Sequence, residues 1–287
     1  MDGSCSDTAV RERYSAAARE VEPQLCCPVE YDPRYLEVVP PEVLERDYGC
    51  GDPSRYVRKG ETVLDLGSGG GKICFIAAQI VGPEGRVIGV DSNDEMLSLS
   101  RGAAPQVGAE LGYRNVEFRR GRIQDLALDL DLLDAWLREH PVRSLADLER
   151  MEEEASRLRR ERPLIPDGSV DLVISNCVLN LVREEDKGRL FREIHRVLGA
   201  AGRLAISDIV SGAPVPRRLK QDPSLWSGCI SGAFTQAGLL AAIDAAGFQK
   251  VAIDKREPKP FAVVEGIEFR SLTVTACKGG GDRCCCG

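Results

Sequence analysis

Thr62–Asp91, TVLDLGSGGGKICFIAAQIVGPEGRVIGVD, decides the fold. Thr62-Val63-Leu64-Asp65-Leu66 is a short apolar run of the kind that forms a buried strand. Gly67-Ser68-Gly69-Gly70-Gly71 is a glycine-rich turn. Lys72–Val81 follows with Ile73, Ile76, Ala77 and Ile80 on one helical face, and Gly82-Pro83-Glu84-Gly85 breaks that helix. Arg86–Val90 reads as a second strand, ending on Asp91. The segment is one β-α-β unit with an acid at the tip of its second strand.

Glycines let the backbone approach a ligand and leave N–H groups free at a helix start. An acid at the end of the next strand can accept both hydroxyls of a ribose. A dinucleotide fingerprint would read G-x-G-x-x-G and face a pyrophosphate. Here Asp65 stands two residues before the first glycine of DLGSGGG, and an acid there suits a cationic, amine-bearing ligand better. The segment resembles S-adenosylmethionine (SAM) methyltransferases of the Rossmann-like kind. The resemblance implies an α/β fold: a seven-stranded, mostly parallel sheet with helices on both faces. It implies cofactor contacts from Asp65, Gly67, Gly69 and Asp91. Met96, in the helix after Asp91, is expected near the adenine or ribose, or as plain core. Ile123, after a third strand at Val116–Arg119, is expected to pack on adenine.

The chain has 287 residues, enough for one large domain or one domain with an appendage. A net charge of -7 points away from a nucleic-acid partner. No apolar run approaches a membrane span, and the charged segment MDGSCSDTAVRERYSAAARE lacks a signal-peptide core. A cytoplasmic location is expected. Eleven cysteines are many for such a chain, and in a reducing compartment they are expected as thiols. No paired CxxC supports a zinc ribbon, and only His140 and His195 supply imidazoles. A site for a soft metal or metalloid would therefore be built from sulfur.

Asp7–Val21 predicts an amphipathic first helix. Residues 1–50 form an N-terminal segment ending at the thiol-bearing turn Asp47-Tyr48-Gly49-Cys50-Gly51. Residues 51–213 form the nucleotide-binding unit, interrupted at 126–166 by a charged helical insertion expected to be an exposed arm without chemistry. SVDLVISNC is the fourth strand and its exit, which places Asn176 on the cofactor side and Cys177 where an acceptor would meet the cofactor. Residues 214–278 are expected to supply the loop around Cys229, a helix at Thr235–Ala246 and closing antiparallel strands, and 279–287 is expected as a flexible tail with Cys284, Cys285 and Cys286.

The cysteine contexts narrow the resemblance. RDYGCGDP around Cys50, VISNCVLNL around Cys177 and WSGCISGA around Cys229 look like an arsenite methyltransferase. That resemblance implies that Cys177 and Cys229 ligate trivalent arsenic. Cys50 would be a third ligand or an exchanging thiol, and Cys26 or Cys27 would supply the family's upstream thiol. It also implies a cellular thiol reductant of the glutathione or thioredoxin type. The shorter spacing between Cys27 and Cys50 and the insertion at 126–166 depart from the family pattern. Two other functions fit the residues: a SAM-dependent enzyme for another small nucleophile, and a non-catalytic thiol-rich metalloid-binding protein. Cys74 and Cys277 are expected as packing residues.

Overall fold

The computed structural model describes residues 4–22, with side chains from residue 7, and residues 29–279. Cys26, Cys27 and Cys284–Cys286 lie outside the described residues. The first elements are α1 (Ser4–Ala17), α2 (Pro41–Glu45), β1 (Thr62–Leu66), α3 (Lys72–Val81), β2 (Arg86–Asp91), α4 (Asp94–Leu111) and β3 (Val116–Arg120). Next come α5 (Leu130–Glu139), α6 (Leu145–Glu161), β4 (Val170–Asn176), α7 (Lys187–Val197) and β5 (Leu198–Ser211). The chain continues through α8 (Arg217–Lys220), α9 (Pro223–Ser227), β6 (Phe234–Thr235), α10 (Gln236–Ala245), β7 (Gln249–Arg256), β8 (Ala262–Val264) and β9 (Ile267–Cys277).

One sheet holds them together in the order β3-β2-β1-β4-β5-β9-β7, with the short β6 beside β5 and β8 beside β9. Strands β1 to β5 pair in parallel, and β9 closes antiparallel on β5. The expected α/β fold is present, with two short strands added to a row of seven. Alternate residues of β1 face opposite cores: Val63 packs with Cys74 and Phe75, whereas Leu64 and Leu66 pack with Leu190 and Ile194. Both faces are therefore covered by helices, as a parallel sheet requires. The strand order reverses between β1 and β4, and the crevice above their carboxyl ends is where such sheets bind ligands.

Local chemistry fixes the entry to that crevice. Gly71 caps α3 with a φ of 93°, and a Cβ there would lie 2.7 Å from the Phe118 ring. Asn93 caps α4 by accepting from the Met96 amide at 3.0 Å. The first helix covers Ser4–Ala17 rather than Asp7–Val21. The insertion is a pair of largely exposed helices tied to the rest of the chain at a few points. Leu128, just before α5, is buried with Ala155 and Leu158 of α6, and Leu130, Leu132 and Leu133 of α5 pack against them. Buried Asp125 ion-pairs with Arg159 of α6 at 2.9 Å and Arg189 of α7 at 2.8 Å. His195 packs edge-on against Phe248 with ring centroids 5.1 Å apart. Among the described residues no helix is long and apolar enough to cross a membrane.

Candidate active site

A cavity of about 430 Å³ opens above the carboxyl ends of β1, β2 and β4. Asp65, Gly67, Gly69 and Asp91 line it, as do Met96 and Ile123 on its walls. Asn176 and Cys177 border it at the end of β4. The residues expected around a cofactor are thus gathered on one cavity. Helix α1 forms part of its wall through Arg11 and Tyr14, a contribution the sequence did not reveal.

The floor of the cavity is electrostatically incomplete. Asp91 accepts from the Gly69 and Asn93 amides, both at 2.9 Å, yet burial still raises its pKa. Asp65 is 2% exposed, and burial lifts its pKa to about 7. The Cys74 thiol, donating to Asp65 at 3.3 Å, opposes that rise, while Asp91 and Asp47 add to it. Asp47 is neutralised by Lys72 at 2.5 Å. Among the described residues Asp65 and Asp91 have no such cation, and the buried Ser68 hydroxyl on the cavity wall has no hydrogen-bond partner. A polyhydroxylated cation would satisfy all three groups. Cys74, expected as plain packing, touches one of the two cavity acids.

Beside this cavity three distant cysteines meet. Cys50, Cys177 and Cys229 are 5%, 6% and 5% exposed and share an apolar shell with Ile209, Ile230 and Phe269. Cys177 is hydrogen-bonded to both Cys50 and Cys229. The Cys229 thiol also donates to the Cys177 carbonyl at 3.1 Å, and the Tyr14 hydroxyl lies 4.0 Å from the Cys229 sulfur. Burial raises the Cys50 pKa. Hydrogen bonds donated to Cys229 and Cys50, followed by burial, raise that of Cys177. These two groups are therefore neutral thiols at pH 7. Among the described residues no group of three or more His, Cys, Asp or Glu is arranged to hold a metal ion.

Each of the three cysteines has its own backbone clamp. Asn176 accepts from the Cys50 and Gly51 amides at 2.9 and 3.1 Å and donates to the Gly51 carbonyl at 2.7 Å. The Asn176 amide, expected on a cofactor, is thus committed to the Cys50 turn while still bordering the cavity. A Cβ on Gly49 would sit 2.1 Å from Asn176 Nδ2, and one on Gly51 would sit 2.5 Å from Ser207. Cys177 donates its amide to the Ser207 carbonyl at 2.8 Å. Asn180 donates to the Cys229 carbonyl at 3.1 Å. Cys177 and Cys229 both hold φ at 62°, a left-handed conformation that L-residues other than Gly, Asn and Asp rarely adopt. Cys50, Cys74, Cys177 and Cys229 are free thiols, as expected, whereas Cys277 at the end of β9 is disulfide-bonded.

A family model described as a methyltransferase domain matches residues 57–165 and 161–259. An arsenite methyltransferase of Halobacterium salinarum is 41% identical over 211 residues, 73% of this chain and 43% of that protein. The arsenite methyltransferase of Aquipseudomonas alcaligenes is 34% identical over 212 residues, 72% of this chain and 51% of that protein. Among solved structures, an arsenic(III) S-adenosylmethionine methyltransferase from Chlamydomonas reinhardtii superposes with a TM-score of 0.67 at 28% identity, covering 89% of this chain and 75% of that one. The chain spans about half the length of the curated relatives it matches.

Proposed function

The chain belongs to the methyltransferase-domain family, and on that premise we propose that it transfers a methyl group from SAM to trivalent arsenic held by Cys50, Cys177 and Cys229. The observation that carries this is the meeting of these thiols, from three separate segments, beside the cavity, with Cys177 belonging to both. The curated relatives named above are arsenite methyltransferases, which supports the same acceptor.

The cavity residues suit SAM. Asp91 would hold the ribose hydroxyls, Asp65 would face positive charge, and Met96 and Ile123 would flank the adenine. SAM supplies an electrophilic methyl carbon. Asp65, buried, and Asp91, partly buried, face no countercharge among the described residues and so favour a cationic guest over a neutral one.

The thiols act on the acceptor. Arsenous acid carries three hydroxyls; each exchange with a thiol forms one As–S bond and releases one water. The thiol proton leaves in that water, so no charge has to be buried. The raised pKa values of Cys50 and Cys177 suit this neutral exchange. The thiols now bond to one another, so loading replaces thiol–thiol contacts with As–S bonds and moves the sulfurs around a common centre. Arsenic bound to sulfur keeps its lone pair, and no proton has to leave it, so no general base is required. The contribution of the protein is position, worth about 7–11 kcal/mol where geometry is productive. Two of the thiols can return electrons to arsenic by closing as a disulfide, which a glutathione- or thioredoxin-type reductant in the cytoplasm would reopen. Cys26 or Cys27 remains the proposed upstream thiol.

The test is mass spectrometry of the products from purified protein, SAM, arsenite and a dithiol. Methylated arsenic formed in step with SAM loss is expected. SAM consumption that ignores arsenite would reject the proposal.

A further inference from the structure

The buried polar groups beneath the cysteines are not part of the chemistry above. Asn180 is 1% exposed and lies three residues after Cys177. Its Nδ2 meets three acceptors: Asp208 Oδ1 at 2.9 Å, the Ile209 carbonyl at 2.7 Å and the Cys229 carbonyl at 3.1 Å. Because all three neighbours on that side are acceptors, the amide orientation is fixed; a flipped oxygen would face only oxygens. Its own Oδ1 is buried without a partner among the described residues. The side chain is therefore held in place for its donor half alone.

Asp208 fixes that donor. It is 2% exposed and accepts from the Leu179 amide at 2.9 Å, the Ile209 amide at 2.7 Å and Asn180. The facing loop is docked from below by Lys187, which donates to the Gly232 carbonyl at 2.6 Å. A Cβ on Gly232 would lie 1.9 Å from the Asn180 carbonyl oxygen, so the two chain segments are in close backbone contact. Within this network only the Asn180 contact falls on Cys229 itself, the residue held in the left-handed conformation.

We infer that Asn180 is a positioning residue: its amide, oriented by Asp208, grips the Cys229 carbonyl and so turns the Cys229 sulfur toward Cys177 and Cys50. The inference rests on the arsenic assignment above and extends it to a residue that touches neither donor nor acceptor. Without the grip, Cys229 relaxes toward an ordinary backbone conformation and its sulfur leaves the trio. Arsenic is then held by two sulfurs and a residual hydroxyl.

The test compares Asn180→Leu and the isosteric Asn180→Asp with the unaltered protein. Arsenic K-edge absorption on arsenite-loaded protein counts sulfur neighbours, and initial rates give KM for arsenite and the SAM affinity. Three sulfurs are expected in the unaltered protein and two sulfurs plus one oxygen in both variants. KM for arsenite is expected to rise about 10–100-fold, the usual effect of losing an outer support of a ligand, while SAM affinity stays unchanged. Three-sulfur coordination and an unaltered KM in Asn180→Asp would overturn the inference even if Asn180→Leu fails to fold. Loss of SAM affinity and arsenite binding together would mark a merely structural role and also overturn it. An unaltered protein showing no As–S bonds would instead overturn the arsenic assignment.

Discussion

The Cys229 thiol donates to the Cys177 carbonyl at 3.1 Å, and both residues sit at a φ of 62°. Left-handed geometry costs a residue with a Cβ roughly 1–2 kcal/mol. It persists where surroundings over-determine it, most often at functional sites. Here the Ser207 carbonyl holds one residue and the Asn180 amide holds the other.

Replacing either cysteine should therefore uncouple stability from turnover. Cys177→Ser and Cys229→Ser are expected to lose at least about 100-fold in arsenite-dependent kcat/KM, the scale of a misplaced reactant. SAM binding by calorimetry should stay within about twofold of the unaltered protein, a change well below 1 kcal/mol. Full turnover in both variants would remove the thiols from the reaction.

A second comparison isolates the backbone. Glycine normally destabilises relative to alanine, but at φ near 62° the order should invert. Cys229→Gly is expected to exceed Cys229→Ala in stability by about 1 kcal/mol, and the same should hold at Cys177. Denaturant melts of the four variants decide it; alanine matching or exceeding glycine would mean that no strain is held there.

Asp65 gives a pH dependence of defined sign. Burial raises its pKa in the fold from 3.8 to about 7, so the folded state binds this proton more tightly than the unfolded state. Stability of the ligand-free protein is then fullest below pH 4 from this group and is lost as pH rises toward 7, by on the order of 4 kcal/mol. Asp208, raised to about 7 by burial, slopes the same way. A cationic cofactor prefers the ionised carboxylate, so SAM should bind about tenfold more weakly per pH unit below 7 and release a proton on binding. Calorimetry in buffers of different ionisation heat measures both. A SAM affinity flat from pH 5.5 to 8 would contradict the role given to Asp65.

Asp125 controls the attachment of the inserted helices. Asp125→Asn removes its pairs with Arg159 and Arg189, which are partly exposed and can turn to water. A global loss of about 1–3 kcal/mol is expected, with faster amide exchange concentrated in α5 and α6. Exchange unchanged there would show that the apolar contact of Leu128, Ala155 and Leu158 suffices.

What the sequence made legible is local. Asp65, the glycine turn and Asp91 lie within one β-α-β unit, where periodicity and turn chemistry determine geometry. Cys177 was readable as the exit of β4, on the edge where such sheets bind ligands, whereas Cys50 and Cys229, both in loops, were readable from the resemblance of their local contexts. The clamps were not readable. Asn180 reaches a residue 49 positions away and Tyr14 one 215 away, separations at which no periodic signal survives. Asn176 sat in a recognisable motif, but which neighbour its amide would serve depended on the path of the turn at Cys50. Cys74 read as packing because its partner, Asp65, points inward from an adjacent strand rather than from its own helix.

The glycines on either side of Cys50 carry a last consequence. One is closed off by Asn176 and the other by Ser207, each too near for a methyl group to enter. Any drift at 49 or 51 must then travel with a smaller or reoriented partner on β4 or β5. Evolution near this thiol is confined to joint moves: across homologous chains, 49 should co-vary with 176 and 51 with 207, whereas the solvent-facing turns remain free to diverge alone.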